Sequence, residues 1–233
     1  MQYVKIKDAI VEQIESGMLI PGQKLPAERK LAEAFDTTRV TLREALSLLE
    51  TEGRIYREDR RGWFISPEPL RYDPSLRQNF HNLALSQGRK PETKVISAKS
   101  ILATREAAKL LDLPPFTDVY SLERVRFLEQ RPVVYVRHYI RQTAFPGLLD
   151  HQLATSLTDI YREHYDISYQ KTRYKVSVTS LTEDIAQLLH ATSGTPAMLV
   201  ERLNYNQDGA LIDGNFEYWR HDAMCIESLA ELM

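Results

Sequence analysis

Hydrophobic positions in the first fifty residues recur at helical spacing and predict three helices. The first stripe consists of Val4, Ile6, Ala9, Ile10 and Ile14, and helix-breaking residues follow at 17–22. A short second helix is predicted over residues 28–35, and a third over residues 38–52 with Thr38 as its N-cap. In the third, the apolar residues fall at i, i+3, i+4 and i+7 and form the face that packs on the core: Leu42, Ala45, Leu46 and Leu49.

Two short strands are predicted after the third helix, at residues 54–57 and 63–65. The charged segment Glu58-Asp59-Arg60-Arg61-Gly62 lies between them as the tip of a hairpin. A short helix, a tight turn, an amphipathic helix with two arginines and a basic hairpin occur in the order of a winged helix-turn-helix domain.

A proline-containing segment and a change of pattern predict a second domain. Three prolines within residues 66–74 stiffen that stretch and disfavour regular strand pairing, as in a linker. Strand-like segments follow at 95–96, 119–128, 132–140, 174–180, 198–206 and 210–220, with helical segments at 105–111, 156–164 and 183–189. The fold class is therefore expected to be α+β, with a mainly antiparallel sheet in the second domain. The expected boundaries are 1–67 for the first domain, 68–78 for the linker and 79–233 for the second domain.

Composition limits the cellular compartments and the kinds of partner that are expected for this chain. No apolar run reaches the ~18 residues that span a bilayer, and the amphipathic, acidic start is unlike a signal peptide. Cys225 is the sole cysteine, so no internal disulfide can form, and a reducing cytoplasm is the expected compartment. No metal or cofactor is expected. The net charge of −2, from 30 basic and 32 acidic residues, requires any DNA contact to use a local basic patch.

Arginine and threonine residues at the start of the third predicted helix are candidates for DNA contact. Arg39 and Arg43 are four positions apart, so both project from one side, away from the apolar stripe. At a helix N-terminus in the major groove, such arginines meet guanine edges or phosphates, and Thr38 and Thr41 can meet phosphates. The alternative is a solvated helical face on which the arginines pair with acids such as Glu44.

The motifs LPAERKLA, TTRVTLREAL and GWFI resemble the DNA-binding domain of GntR-type bacterial transcription regulators. The resemblance implies that Arg29, Arg39, Thr41 and Arg43 contact operator DNA and that Gly62 lies at the tip of the wing. Arg60 replaces a usual wing glycine, and Trp63 replaces a usual threonine. We hypothesise that Arg60 enters a narrow minor groove, where the negative potential is enhanced.

The second domain resembles the effector-binding (UTRA) domain of the HutC branch of that superfamily. The resemblance is carried by SQGRKPETKV, VYSLERVRFLEQRPVVYVRHYI and GALIDGNFEYWRHDAM. It implies a fold like that of chorismate lyase and the binding of a small, often anionic molecule that controls release from DNA.

Arg124 and Arg126 are candidate effector ligands because residues two apart on a strand share one face of the sheet. Adjacent guanidinium groups repel unless an anion joins them, and a phosphate or carboxylate fits their planar donors. The alternative is an ion-pair network with a protein carboxylate: Glu123, Glu201 or Asp213.

Other candidate effector residues are Ser156, Asp213, Trp219 and Glu92. Ser156 opens a helix, so it either binds the anion or only caps the helix. Tyr218 and Trp219 point to opposite faces, so at most one of them faces a ligand. Departures from the family pattern at Val136, Thr158 and Glu92-Thr93 disfavour an amino-sugar phosphate. Paired arginines opposite Glu92 or Asp213 would suit a zwitterion.

The sequence thus predicts a ligand-responsive transcriptional repressor rather than an enzyme. It would bind a palindromic operator as a homodimer and be released by an anionic or zwitterionic metabolite such as a sugar phosphate, a phosphonate or an amino-acid-like acid. The alternatives are a lyase that uses Arg124, Arg126, Glu201 and Asp213, and an architectural DNA-binding protein without a ligand. No nucleophile–base–orienter pattern supports the lyase.

Overall fold

The computed structural model describes residues 1–76 and 78–229. Its N-terminal domain contains three helices and a hairpin: α1 (Gln2–Glu15), α2 (Glu28–Ala34), α3 (Arg39–Thr51), β1 (Ile55–Glu58) and β2 (Gly62–Ile65). The predicted apolar face of α3 is fully buried, and Ile6 and Ile10 of α1 join it in one core with Ile55 and Ile65 of the hairpin. The winged helix-turn-helix prediction is confirmed.

Local signals set the ends of α3. The side chain of Thr38 accepts a hydrogen bond from the Thr41 amide, which satisfies one free N–H of the first turn. Gly53 follows the helix with φ of +69°, a left-handed conformation that glycine adopts without steric cost. Strand β1 therefore begins two residues later and pairs antiparallel with β2.

The segment between the domains contains a strand, so the prediction that it lacks regular pairing is wrong. Strand β3 (Leu70–Tyr72) pairs in parallel with β10 (Met224–Ile226) near the end of the chain. The surrounding prolines do not prevent this pairing because none lies within β3. A strand distant in sequence supplies the partner.

The C-terminal domain is built on a six-stranded antiparallel sheet in the order β4-β5-β6-β9-β8-β7, as predicted in kind. Its strands are β4 (Pro91–Leu102), β5 (Asp118–Leu128), β6 (Arg131–Arg141), β7 (Tyr169–Ser180), β8 (Pro196–Asn206) and β9 (Leu211–Arg220). The helices are α4 (Phe80–Ser86), α5 (Arg105–Leu111), α6 (Leu157–Tyr165) and α7 (Glu183–Leu188), with two 3-10 turns at Gln142–Ala144 and Leu148–Asp150. Strands β4 and β7 are longer than predicted because they are mostly exposed and carry little apolar signal.

Helices cover both faces of this sheet. On one face, α4 packs against Val134, Val136 and Trp219, and α6 packs against Tyr120, Leu122 and Ile140. On the other face, α5 and α7 pack against Val119, Val125 and Tyr135. Because side chains alternate along a strand, Arg124 and Arg126 lie on the face covered by α4 and α6.

Candidate nucleic-acid interface and ligand pocket

The start of α3 presents arginines to solvent. Arg39 is exposed and has no ion-pair partner among the residues that the structure describes. Arg43 is also mostly exposed, but its Nε lies 2.7 Å from Oε2 of Glu28 on α2. The alternative of a pair with Glu44 is therefore incorrect in its partner, because the acid that meets Arg43 comes from the neighbouring helix.

Threonines at the same helix end are partly used by the fold. Thr38 Oγ1 lies 3.0 Å from Thr41 Oγ1 and accepts from the Thr41 amide at 3.2 Å. The two hydroxyl groups form a hydrogen-bonded pair beside Arg39. Thr38 therefore acts as a cap, and a contact to phosphate would use the remaining capacity of the pair.

Glu28 connects the helix-turn-helix to the wing. Besides Arg43, it accepts a hydrogen bond from Trp63 Nε1 at 3.2 Å. Burial alone would raise the pKa of Glu28, but the hydrogen bonds from Arg43 and Trp63 hold it below its usual value. An ionised carboxylate on α2 thus orients the Arg43 side chain. Trp63, which departs from the usual threonine, supplies the second of these two contacts.

Arg60 occupies the tip of the wing in a left-handed conformation with φ of +58°. Its side chain is 92% exposed, and Arg61 donates its amide to Glu58 O across the turn. A glycine would adopt this conformation without strain, which explains physically why a glycine is usual here. Gly62 has φ of +102° and is the first residue of β2, so it follows the exposed tip of the wing rather than forming it.

A basic groove runs between the wing and the start of α2. It is lined by residues 24–28 together with Arg57, Arg60, Arg61, Gly62 and Trp63. Lys24, Arg57, Arg60 and Arg61 supply positive charge, and Glu28 is the acid of the lining. Arg29 lies on the first turn of α2 and is mostly exposed, 3.8 Å from Glu33. The net negative chain therefore has the local basic surface that DNA contact requires.

Arg124 is fully buried beneath the loop that precedes α6. Its guanidinium donates to Leu153 O at 3.2 Å and Thr155 O at 3.0 Å, and Nη2 lies 2.9 Å from His138 Nε2. Burial and the nearby Arg124 hold the pKa of His138 well below its usual value, so the neutral ring accepts this bond. Burial lowers the pKa of Arg124 to about 9, which leaves it charged at neutral pH.

Arg126 lies in a pocket between the sheet and α4, with its guanidinium 5.1 Å from the centre of the Phe80 ring. Within residues 1–76 and 78–229 it has no hydrogen-bond or ion-pair partner. Burial lowers its pKa. The three carboxylates considered as partners for the arginine pair are engaged elsewhere: Glu123 with Arg137, Glu201 with Lys175, and Asp213 with Tyr169 and Asn204.

Glu217 and Arg202 form an ion pair of 3.1 Å in the same pocket. Glu217 also accepts a hydrogen bond of 2.9 Å from Trp219 Nε1. Burial alone would raise the pKa of Glu217, but Arg202 and Arg126 hold it below its usual value. The rest of the lining is largely apolar or aromatic: Tyr72, Gln78, Phe80, Leu83, Val200, Trp219 and Met224. Among the lining residues that the structure describes, the pocket therefore offers one cation without a hydrogen-bond or ion-pair partner, one ionised acid and aromatic surface.

Asp213 and Ser156 lie on the same side of the sheet but have structural partners. Asp213 accepts from Tyr169 Oη and Asn204 Nδ2, both at 2.6 Å, although burial raises its pKa. Ser156 caps α6 by accepting from the Asp159 amide at 3.3 Å, and it also accepts from Asn79 Nδ2 at 3.2 Å. Neither lines the pocket around Arg126.

The expectation that Glu92 faces the arginine pair is wrong. Glu92 pairs across the sheet with Phe127, whereas Thr93 pairs with Arg126. Directly opposed residues share a face, so Glu92 points to the side covered by α7 and lies 3.4 Å from Lys94. Thr93 takes the place on the side of the pocket.

Sequence reasoning missed Glu217, Arg202 and Tyr72. Glu217 could have been found, since it is two residues from Trp219 and must share its face. Arg202 lies two residues from both Val200 and Asn204 in the 198–206 segment, so the three side chains share one face of the sheet. Tyr72 and Met224 had no such signal, because the β3–β10 pairing brings them to the pocket.

Two absences hold for the part of the chain that the structure describes. None of its helices combines the length and the hydropathy that a membrane span requires. No group of three or more His, Cys, Asp or Glu side chains is placed to hold a metal ion.

Comparison with known families assigns both halves of the chain. Residues 2–65 match the model of the bacterial regulatory proteins of the gntR family, and residues 86–224 match the model of the UTRA domain. The chain is 31% identical to the HTH-type transcriptional regulator YihL of Escherichia coli over 94% of its length and 93% of that protein. It is 27% identical to the HTH-type transcriptional repressor NagR of Bacillus subtilis over 94% of its length and 90% of that protein.

Solved structures share the fold over the whole chain. The structure of PhnF from Mycobacterium smegmatis superposes with a TM-score of 0.68 at 24% identity, covering 98% of this chain and all of PhnF. The possible transcriptional regulator YydK from Bacillus subtilis gives a TM-score of 0.62 at 23% identity, covering 99% of this chain and all of YydK. With the winged helix-turn-helix and the arginine-containing pocket described above, these matches establish that the chain belongs to the GntR family of transcriptional regulators and carries a UTRA effector domain.

Proposed function

We propose that the protein is a repressor that binds a palindromic operator as a homodimer and is released by a small anionic or zwitterionic metabolite. Arg39 and Arg43 would contact base edges or phosphates from α3, Thr38 and Thr41 would meet phosphates, and Arg29 would contact the DNA backbone or an adjacent base. Arg60 and Gly62 belong to the wing at the adjoining minor groove. Two domains of this kind are needed because one contacts too few base pairs for specificity.

The observation that carries the effector proposal is the environment of Arg126. Arg126 is partly buried and has no hydrogen-bond or ion-pair partner among the described residues. Partial desolvation of such a guanidinium costs free energy, and a bound carboxylate or phosphate relieves that cost through charge-assisted hydrogen bonds. Arg124 would attract the anion through its positive charge rather than by direct contact, since its donors are largely occupied by His138 and two backbone carbonyls.

Glu217 favours a zwitterion over a simple anion. Its carboxylate accepts from Arg202 and Trp219, and it has capacity for a further donor because an ionised carboxylate has about four lone-pair sites. An effector with an acid near Arg126 and an ammonium near Glu217 would meet both. Aminophosphonates and amino-acid-like acids fit this pattern, and Trp219 and Phe80 would pack on the effector's body. Asp213 and Ser156 would shape the neighbouring wall.

The relatives bear on repression and on catalysis. NagR carries the description of a repressor, which supports the same sign of regulation here. The proteins compared above are transcriptional regulators, and no specific observation favours the lyase alternative. A bound effector releases DNA only if it prefers the arrangement that does not bind the operator.

The test is a titration of full-length protein against palindromic promoter fragments and random duplex at several salt concentrations. We expect a salt-sensitive preference for one palindrome, with two protein chains bound per fragment. A thermal-shift screen of phosphate, aminophosphonates, amino acids and neutral sugars then tests the effector class. The proposal fails if no fragment is preferred with or without these compounds, and its effector part fails if only neutral sugars stabilise the protein.

A further inference from the structure

The two domains meet at a buried cluster around Tyr56 of the N-terminal hairpin. The Arg131 guanidinium carbon lies 3.5 Å from the centre of the Tyr56 ring, and that of Arg220 lies 5.4 Å from it. Tyr56 is 5% exposed, Arg131 8% and Arg220 1%. Desolvated cation–π contacts of this kind are strong, so the cluster resists separation of the domains.

Asp222 holds both arginines and reaches the N-terminal domain. Its Oδ2 lies 2.5 Å from Arg131 Nη2 and accepts a hydrogen bond from Ser66 Oγ at 3.2 Å, while Oδ1 lies 3.5 Å from Arg220. Burial alone would raise the pKa of Asp222, but Arg131 and Arg220 hold it below its usual value. Both arginines that contact Tyr56 are therefore paired with one ionised carboxylate.

Backbone groups of the N-terminal domain are also engaged. Arg220 Nη2 donates to Arg57 O at 3.2 Å, and the Asp59 amide donates to His190 O at 2.9 Å. The His221 ring lies between the domains, with Nε2 2.6 Å from Glu50 O in the last turn of α3 and Nδ1 3.0 Å from Pro196 O. The C-terminal domain thus contacts both the wing hairpin and the C-terminal end of the DNA-contacting helix.

Residues of this cluster alternate along the chain with residues that line the ligand pocket. Trp219 and Met224 line the pocket, and Arg220, His221 and Asp222 lie between them in sequence. Trp219 and Arg220 are adjacent on β9, so one faces the pocket and the other faces the N-terminal domain. Met224 begins β10, whose partner β3 supplies Tyr72 to the same pocket. A backbone shift at Trp219 or Met224 would therefore be passed to the residues that hold Tyr56.

We propose that Tyr56, Arg131, Arg220, His221 and Asp222 form a latch through which the pocket sets the orientation of the DNA-binding domain. This rests on the proposed function of the pocket, and it adds the element that links the two sites. The latch is engaged in one of two states of the chain, and occupation of the pocket displaces residues 219–224 and weakens it. Two global states that differ in this contact give the ligand a means of changing operator affinity.

The Asp59 amide reports on the latch, since its acceptor is a carbonyl of the other domain. Hydrogen exchange at this amide would be measured in full-length protein without DNA, so the outcome does not depend on operator binding. We expect Arg131→Met to speed its exchange by roughly tenfold or more, because a buried ion pair and a cation–π contact are lost. Arg173→Met, at an exposed position of β7, is the matched control and should leave the rate unchanged.

Coupling to the pocket is tested with Met224→Ala alone and combined with Arg131→Met. We expect Met224→Ala to speed exchange at Asp59, and the double variant to show less than the product of the two single effects, because both act on one element. Ser66→Ala, which removes a single hydrogen bond to Asp222, replaces Arg131→Met if that variant fails to fold. An unchanged Asp59 rate in the latch variants, or independent effects that multiply in the double variant, would overturn the proposal.

Discussion

The Nε atom of Arg43 lies 2.7 Å from Oε2 of Glu28, and this ion pair fixes the exposed arginine of α3 against the start of α2. The same carboxylate accepts from Trp63 of the wing. One acid thus sets the relative positions of α2, α3 and the wing, the three elements that we propose to contact DNA. It also shows that an arginine with a protein partner can remain available to DNA, because the Arg43 side chain is still 65% exposed.

Arg43→Ala should lower operator affinity by roughly 1–3 kcal/mol if the arginine contacts a base. Fluorescence anisotropy at fixed salt measures the change. Arg105→Ala is the control, since it removes the same charge from an exposed site in the C-terminal domain. Equal affinities for the two variants would show that Arg43 does not contact the operator.

Arg60→Gly and Arg60→Ala separate backbone strain from charge at the wing tip. Both should weaken binding and reduce any preference for A·T-rich flanks, because both remove the guanidinium. Only Arg60→Gly should relieve the left-handed strain, with a gain of up to about 1 kcal/mol in the free energy of unfolding. Operator titrations and urea unfolding measure the two effects. Unaltered affinity and base preference in Arg60→Ala would exclude the minor-groove role.

Arg124 and Arg126 should respond differently to replacement by methionine. Arg124→Met leaves the carbonyls of Leu153 and Thr155 without their donor, so we expect a loss of roughly 1–3 kcal/mol of folding stability. Arg126→Met removes a partly buried guanidinium that has no hydrogen-bond or ion-pair partner among the described residues, so folding stability should be retained.

The effector response distinguishes these roles further. A ligand at 100 times its Kd adds about 2.7 kcal/mol to wild-type stability, and Arg126→Met should abolish that increment for any anionic compound found in the thermal-shift screen. Retention of the increment in Arg126→Met, with its loss in a folded Arg124→Met, would reverse the assignment.

The N-terminal domain could be predicted from sequence because its signals are local. Helical spacing located the buried stripe of α3, and Thr38 and Gly53 marked its ends. Side-chain alternation likewise placed Arg124 and Arg126 on one face. Glu92 was misplaced because the position of a residue on a sheet depends on register, and a shift of one residue exchanges the faces.

The pocket and the latch could not be predicted in the same way, because both depend on contacts between distant parts of the chain. Tyr72 reaches the pocket through a three-residue strand paired with residues 224–226. Ser66 meets Asp222 and Tyr56 meets Arg131 across the domain boundary. No periodicity within either segment encodes such a partner, and the prolines near β3 pointed towards a linker without strand pairing.

Lowering the pH should reduce the folding stability of the protein because Asp222 becomes protonated. Arg131 and Arg220 hold its pKa below the ordinary carboxyl value of about 3.9. A depressed carboxyl pKa contributes stability that is complete above the unfolded value and is lost as the pH falls through the folded value. The free energy of unfolding should therefore decline more steeply below about pH 4 in wild type than in Asp222→Asn.

At neutral pH, Asp222→Asn should cost roughly 3–5 kcal/mol, since two buried arginines lose their counter-ion. Urea unfolding between acidic and neutral pH measures both effects. Asp118→Asn, at an exposed site, is the control, and it should follow the wild-type curve. If Asp222→Asn also follows the wild-type curve, the carboxylate does not hold the arginine pair in solution.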